Sequence, residues 1–235
     1  MPELPRREAA IPPVPPPKRH PYNQWAPDAR ALDIVGDKWT LLIVRDLATG
    51  PRRFVELQRT LPGISTEQLR SRLNRMVADD LLTRVRYREV PPRVDYELTE
   101  RARALLPVVG AVARWGWQWA WGAPAEAEQV DVGAILRVLP GLDLGPEVEG
   151  TVEVVVERPT GARHHVLEVE GGRVTITEGE AEQADARLRG PEAAWVDALG
   201  PAAERGGLQL DGDDDLAAAF LDALAPVAAR AATVA

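Results

Sequence analysis

The sequence predicts an α+β protein of two domains. The N-terminal half is a run of short helices closed by a β-hairpin and a long helix, and the C-terminal half is an antiparallel sheet covered by helices. Three observations lead there. Helical periods punctuated by Gly and Pro occupy residues 27–78, period-two alternation replaces them at 83–98, and four more alternating runs fill 150–190. The charge changes sign along the chain: residues 1–122 hold 20 Lys and Arg against 14 Asp and Glu, whereas 123–235 hold 8 against 22. Finally, 235 residues suit two domains of ordinary size. Gly122-Ala123-Pro124-Ala125-Glu126-Ala127-Glu128 has linker composition. The expected organisation is therefore an arm at 1–24, a first domain at 25–122, a linker at 123–130 and a second domain at 131–235.

Composition narrows the chemistry. Hydrophobic residues at 45% and charged residues at 27% fit chains that bury real cores. The absence of cysteine excludes disulfides, thiolate zinc sites, iron–sulfur clusters and thiol-based redox sensing. No apolar run reaches the roughly 18 residues that span a bilayer, and the N-terminus lacks the apolar stretch of a signal peptide. A cytoplasmic protein without membrane association is expected. The basic half suits a polyanion and the acidic half does not.

The first 21 residues contain 8 of the 21 prolines and have neither helical nor strand period, so an extended arm is expected. Pro27–Val35 carries Ala31, Leu32 and Val35 at helical spacing before Gly36. Trp39–Leu47 carries Leu42, Ile43 and Leu47 before Gly50-Pro51, and Phe54, Leu57 and Leu61 mark a brief helix ended by Pro62-Gly63. Ser65-Thr66-Glu67-Gln68 then fits a capping box, which starts a helix. Its Leu69, Leu73, Met76 and Val77 fall on one side, leaving Gln68, Ser71, Arg72 and Arg75 on the other. Arg and Gln make bidentate bonds to guanine and adenine, and Ser or Thr bonds bases or phosphates, so this face suits a major groove.

The hairpin follows directly. Thr83–Arg88 alternates, turns through Glu89-Val90-Pro91-Pro92-Arg93 and returns as Val94–Leu98. The alternation places Val85, Tyr87, Val94, Tyr96 and Leu98 on an apolar face, with Arg84 and Arg86 opposite Asp95 and Glu97 on the other. Arg88 and Arg93, flanking the proline tip without such partners, are the expected phosphate or minor-groove contacts. Helix, turn, helix and hairpin in this order make a winged helix-turn-helix.

Four segments carry a specific resemblance. Ala31-Leu32-Asp33-Ile34-Val35-Gly36-Asp37-Lys38-Trp39 with the run to Leu47, Gly50-Pro51-Arg52-Arg53-Phe54-Val55-Glu56-Leu57, Leu61-Pro62-Gly63-Ile64-Ser65, and Val90-Pro91-Pro92-Arg93-Val94-Asp95-Tyr96-Glu97-Leu98-Thr99 resemble the HxlR-type winged-helix transcriptional regulators. The resemblance covers residues 25–121. It implies a homodimer joined through the first and last helices and bound to double-stranded operator DNA. The recognition helix would start at Ser65 and the wing span Arg84–Leu98. Residues expected at the DNA are Arg53, Ser65, Thr66, Gln68, Ser71, Arg72, Arg75, Arg88 and Arg93. Many family members carry a cysteine before the first helix; here that stretch is Gln24-Trp25-Ala26-Pro27, so thiol sensing is chemically impossible.

Glu100–Trp121 reads as one long helix with Leu105, Leu106, Val109 and Val112 inward, and with Pro107 and Gly110 as sites for a kink. Trp115 and Trp119 are four apart, as are Trp117 and Trp121, so the two pairs take different sides and both sides are expected to be covered. A dimer or domain interface, or an aromatic effector pocket, accounts for them.

In the C-terminal half, runs at 151–157, 165–170, 173–177 and 185–189 suit a meander with one polar face. Helices are expected at 191–199 and 213–229 around a last strand at 207–210. This order, with the Leu210-Asp211-Gly212-Asp213 junction, is similar to the sterol-carrier-protein domain, which implies an apolar cavity between sheet and helices but does not by itself establish a ligand, since that fold also serves as an accessory domain. No cofactor is expected. His164 and His165 point to opposite faces of a strand and lack a third metal ligand. Asp211, Asp213 and Asp215 mimic a calcium loop, but Leu216 and Asp222 stand where glycine and glutamate belong. No nucleophile motif, phosphate loop or dinucleotide fingerprint appears, so the protein is not read as an enzyme. The expected function is a dimeric DNA-binding transcriptional regulator whose acidic C-terminal domain either binds an apolar small-molecule effector or supports assembly. A carrier of lipids or hydrophobic metabolites, in which the winged helix serves dimerisation, is the alternative.

Overall fold

The computed structural model describes residues 8–9, 21–87, 93–146 and 148–224. The chain divides between Leu106 and Pro107 into two compact units. Among the described residues the first holds helices α1 (Pro27–Val35), α2 (Thr40–Leu47), α3 (Phe54–Thr60), α4 (Thr66–Ala78) and α5 (Glu100–Arg103). Its four-stranded sheet has the order β1-β3-β4-β2, from β1 (Glu8–Ala9), β2 (Arg52–Arg53), β3 (Leu82–Tyr87) and β4 (Arg93–Leu98). The core is formed by Ile43 and Val44 of α2, Leu57 of α3, and Leu69, Leu73 and Met76 of α4, all essentially inaccessible. On α1, Ala29 and Val35 are buried while Leu32 faces solvent.

The hairpin register differs from the expected one. Val85 lies opposite Asp95, and Arg84 opposite Tyr96. Residues directly opposite share a face, so Asp95 sits on the Val85 side and Arg84 on the Tyr96 side. A one-residue slip moves every side chain to the other face, and alternation within each strand leaves that choice open.

From Pro107 on, the second unit contains α6 (Leu106–Trp119), a helix assigned by sequence to the first domain. The predicted long helix breaks at 104–105, before Pro107, because proline has no N–H to donate but fits the first turn of a new helix. Gly110 does not act as a kink. A Cβ there would stand 1.9 Å from the Gly141 carbonyl oxygen, so its missing side chain lets α6 lie on that backbone.

Residues 131–149 add α7 (Val132–Leu136) and a 3-10 turn at Leu139–Gly141. The sheet follows as β5 (Gly150–Glu157), β6 (Arg163–Glu170), β7 (Arg173–Glu178), β8 (Ala186–Pro191) and β9 (Gln209–Gly212), with α8 (Glu192–Leu199) after β8 and α9 (Asp214–Leu224) after β9. Strand order is β7-β6-β5-β8-β9, and β8 runs parallel to β5. The sheet is therefore mixed, not wholly antiparallel. Residues 179–185 return from β7 to the far side of β5 instead of forming a third hairpin. Val152, Val154 and Val156 of β5 pack with Trp195 of α8 and Phe220 of α9, both with no accessible surface. The indole of Trp195 donates to the Val155 carbonyl at 3.1 Å. These side chains fill the layer between sheet and helices, where the sequence led us to expect an apolar cavity.

Candidate nucleic-acid interface

The reading surface of the first unit is built from a buried acid outward. Asp46 on α2 is fully buried; its carboxylate accepts from Arg45 Nε at 2.9 Å and from the Thr60 hydroxyl at 2.6 Å, and its carbonyl accepts from Arg52 Nε at 2.7 Å. One side chain and one carbonyl thus fix the end of α3 and the start of β2 against α2. Gly63, with φ +83°, turns the chain into α4. The expected capping box is present: Ser65 Oγ accepts from the Gln68 amide at 3.1 Å, and Gln68 Oε1 accepts from the Ser65 amide at 3.1 Å. Gln58 Nε2 on α3 donates to Thr66 Oγ1 at 2.8 Å, which ties the two helices across the turn.

These bonds determine what α4 offers a partner. Ser65, Thr66, Gln68 and Ser71 are exposed, but Ser65 and Gln68 cap the helix and Thr66 holds Gln58. Arg72 bonds Asp37 at 3.0 Å, and that same Asp37 caps α2 by accepting from the amides of Trp39 and Thr40. Arg75 Nε donates to Asp79 Oδ2 at 2.8 Å, and its side chain is only 13% exposed. The sequence reading missed Arg70. It is exposed, at 3.2 Å from Glu67, one position before Ser71 on the solvent side. A helical wheel anchored on Leu69, Leu73 and Met76 places Glu67, Ser71 and Asn74 at the outward centre and Arg70 at its flank.

The wing is arranged differently from the expectation. Arg93 was expected to lack a partner, yet its Nε and Nη2 bond the carboxylate of Asp95, with the shortest distance 2.6 Å. The corrected register explains this, because it turns Asp95 inward to 1% exposure, where it needs a cation. Arg53 is exposed, with Nε 3.9 Å from the same carboxylate. Arg88 lies outside the described residues. Burial raises the pKa of the Tyr96 phenol, against the opposing charges of Arg84 and Arg70.

In the second unit the expected covering of both tryptophan pairs is met only in part, because α6 ends at Trp119, and Trp121 beyond it is 42% exposed. Trp117 packs against the core, and Trp121 Nε1 donates to the Leu199 carbonyl at 2.9 Å. Trp115 and Trp119 are exposed, in line with Val108 and Val112, which is a change for Val112 from its expected inward position. On the sheet, the buried Glu153 binds His164 Nδ1 at 2.8 Å and Arg187 Nε at 2.6 Å. His165 points to the opposite, core side. Asp213 accepts from the amides of Asp215 and Leu216, both at 3.0 Å, and so caps α9. No helix among the described residues is long and apolar enough to cross a membrane.

Residues 34–123 match the family model described as HxlR-like helix-turn-helix. An uncharacterised HTH-type transcriptional regulator of Halalkalibacterium halodurans is 39% identical over 94 residues, covering 40% of this chain and 83% of that protein. One from Bacillus subtilis strain 168 is 36% identical over 85 residues, or 36% and 68% of the two chains. Among solved structures, the redox regulator HypR in its reduced form is 36% identical, with a TM-score of 0.38 over 39% of this chain and 90% of that one.

Proposed function

The chain belongs to the HxlR-like helix-turn-helix family, a family of transcriptional regulators and not of enzymes, and on that premise we propose that it binds double-stranded operator DNA as a homodimer. The observation that carries this reading is α4. It is capped at Ser65, tied to α3 through Gln58 and Thr66, buried on its Leu69, Leu73 and Met76 side, and open along Glu67, Arg70 and Ser71. That is the construction of a helix presented to a groove. Arg53, Ser65, Thr66, Gln68 and Ser71 remain proposed DNA contacts, with Arg70 added. Arg72, Arg75 and Arg93, engaged by Asp37, Asp79 and Asp95, support the surface by positioning it.

The dimer reading is supported by α6. Val108, Val112, Trp115 and Trp119 are 43, 55, 61 and 68% exposed, and their spacing of four, three and four puts them on one helix face. A stripe of this size on a solvated helix marks an interface. The second unit is proposed to be sterol-carrier-like, supported by its strand order and by the Gly212 junction. There φ is +102°, and a Cβ would stand 2.2 Å from the Asp185 carbonyl oxygen. An apolar effector would have to displace Trp195 or Phe220 to enter. Selection of fragments from a random DNA pool by the full chain tests the main reading. Enrichment of a sequence with two related half-sites is expected, and recovery of unenriched DNA would refute it.

A further inference from the structure

The second unit holds a group of charged side chains that neither the DNA-binding surface nor the apolar core uses. Asp131 precedes α7, Gly133 lies on α7, Arg137 ends it, Arg158 follows β5, His165 is on β6, Glu178 ends β7 and Glu192 opens α8. Arg137 and His165 are 1% and 3% exposed. Arg137 Nη2 donates to Asp131 Oδ2 at 2.8 Å, and its Nη1 stands 3.7 Å from Glu178. Arg158 Nη2 pairs with Glu192 and lies 3.9 Å from Asp131 Oδ1. The glycine at 133 lets these groups close on the α7 backbone: a Cβ there would stand 2.9 Å from Arg137 Nη1 and 3.1 Å from both Asp131 Oδ1 and His165 Cε1.

Buried polar atoms left without partners are costly and uncommon. Here Asp131 Oδ1, Arg158 Nε and His165 Nδ1 have no hydrogen-bond partner, and Glu192 Oε1 has its ion pair with Arg158 but no aligned hydrogen bond. With Arg163 at the start of β6, whose charge also acts on Asp131 and His165, the three guanidiniums of Arg137, Arg158 and Arg163 balance the three carboxylates of Asp131, Glu178 and Glu192, so the group calls for a neutral guest. The atoms without a hydrogen bond are one donor, two carboxylate oxygens that face Arg158 only as ion pairs, and an imidazole nitrogen. A hydroxyl is the neutral group that donates and accepts from one atom. Access comes from the outer members, since Glu178 and Glu192 are 46% and 34% exposed.

We propose that the Asp131, Arg158, His165 and Glu192 cluster beside Gly133 binds a neutral hydroxylated small molecule, a diol or polyol. Its hydroxyls accept from Arg158 Nε and donate to Asp131 Oδ1, Glu192 Oε1 and His165 Nδ1. This reading reverses the chemistry expected of the domain. The apolar layer is filled by Trp195 and Phe220, while the unmet bonding capacity is polar and lies at the layer's edge. It does not depend on DNA binding.

The test is a titration of the full-length protein, labelled with 15N-histidine, with glycerol, erythritol and myo-inositol. Methylammonium and acetate serve as charged controls. A saturable shift of the His165 ring resonances by at least one polyol, absent with both ions, is expected. Gly133→Ala, whose methyl forces the three surrounding side chains apart, should weaken binding at least about tenfold, as should Glu192→Gln, which exchanges one carboxylate acceptor for an amide donor and loses the charge that orients Arg158. If Gly133→Ala does not fold, Glu192→Gln carries the comparison. No saturable shift with any polyol would mean that ordered water alone satisfies these atoms and would overturn the proposal. So would equal affinity in Glu192→Gln.

Discussion

Arg93 holds the buried carboxylate of Asp95 through both Nε and Nη2, two residues along the same strand of the wing. The pair exists because the hairpin register carries Asp95 inward beside Val85. Removing the arginine leaves a carboxylate that is 1% exposed, with Arg53 Nε 3.9 Å away as its remaining ion-pair partner among the described residues. Arg93→Ala should therefore cost about 3 kcal/mol in urea unfolding. Adding Asp95→Asn to that variant should restore most of the loss. An unchanged midpoint in Arg93→Ala would show that the carboxylate does not need its partner.

If α4 reads DNA as proposed, Arg70, its exposed cation at the flank of the outward face, is a contact to test. Arg70→Ala should lose about 1–3 kcal/mol of affinity for the selected site if it contacts a base, or weaken all sequences alike if it contacts phosphate. Fluorescence anisotropy across a salt series distinguishes the two, because each phosphate contact adds about −0.9 to the log–log slope. Arg75→Ala should act mainly on thermal stability, since Asp79 already engages it. Full affinity and an unaltered slope in Arg70→Ala would remove it from the interface.

The exposed α6 stripe gives a prediction about assembly. Val112→Asp places a charge among Val108, Trp115 and Trp119, and light scattering should then report the monomer mass at micromolar concentration while the far-UV spectrum stays the same. A variant that keeps the wild-type mass would place the interface elsewhere.

Buried His165 makes stability depend on pH. Burial lowers its pKa from 6.5 to about 4, with Glu178 and Asp131 opposing that shift and Arg137 and Arg163 reinforcing it. The unfolded chain takes up a proton near 6.5 and the folded chain only near 4. Between these values the unfolded state binds more protons, and stability falls as pH falls. The full effect is on the order of 3 kcal/mol. Burial is the largest single effect on Asp131 and raises its pKa, but Arg137, Arg158 and Arg163 together outweigh it and hold the carboxyl below its ordinary value, so its contribution is lost as pH falls below the ordinary carboxylate range. Urea midpoints measured from pH 7.5 down to 4.5 should decline in the wild type and flatten by about one proton in His165→Gln. Parallel profiles would assign the pH dependence to other groups.

Gly110 tests how α6 is seated. An added methyl would meet the Gly141 carbonyl oxygen at 1.9 Å, and backbone cannot rotate aside as a side chain can. Gly110→Ala should therefore destabilise the second unit by about 1–3 kcal/mol or more, despite alanine's better helix propensity. Gly116→Ala on the same helix, where a Cβ meets nothing within 4 Å, is the control and should be neutral or stabilising. Equal melting temperatures in the two variants would rule out the close contact.

Much of this protein is determined by patterns a few residues long. The capping box from Ser65 to Gln68, the Leu69, Leu73 and Met76 stripe, the placement of Trp117 on the side of α6 away from Trp115 and Trp119, and most strands follow from bonds and periodicities contained within one element. The absence of cysteine excludes thiol chemistry without any structure. Tertiary structure decided what depends on partners distant in the chain or on a choice between equivalent alternatives. Alternation within β3 and β4 fits either of two registers, and only packing on the helices put Asp95 inside with Arg93. Arg70 and Arg75 look alike in sequence, and Asp79 distinguishes them. The parallel placement of β8 depends on where residues 179–185 cross, and the seating of α6 depends on a carbonyl 31 residues beyond Gly110. The polar atoms around Gly133 come from α7, β6, α8 and the end of β5, so their convergence is a property of the assembled sheet and helices and of no single segment.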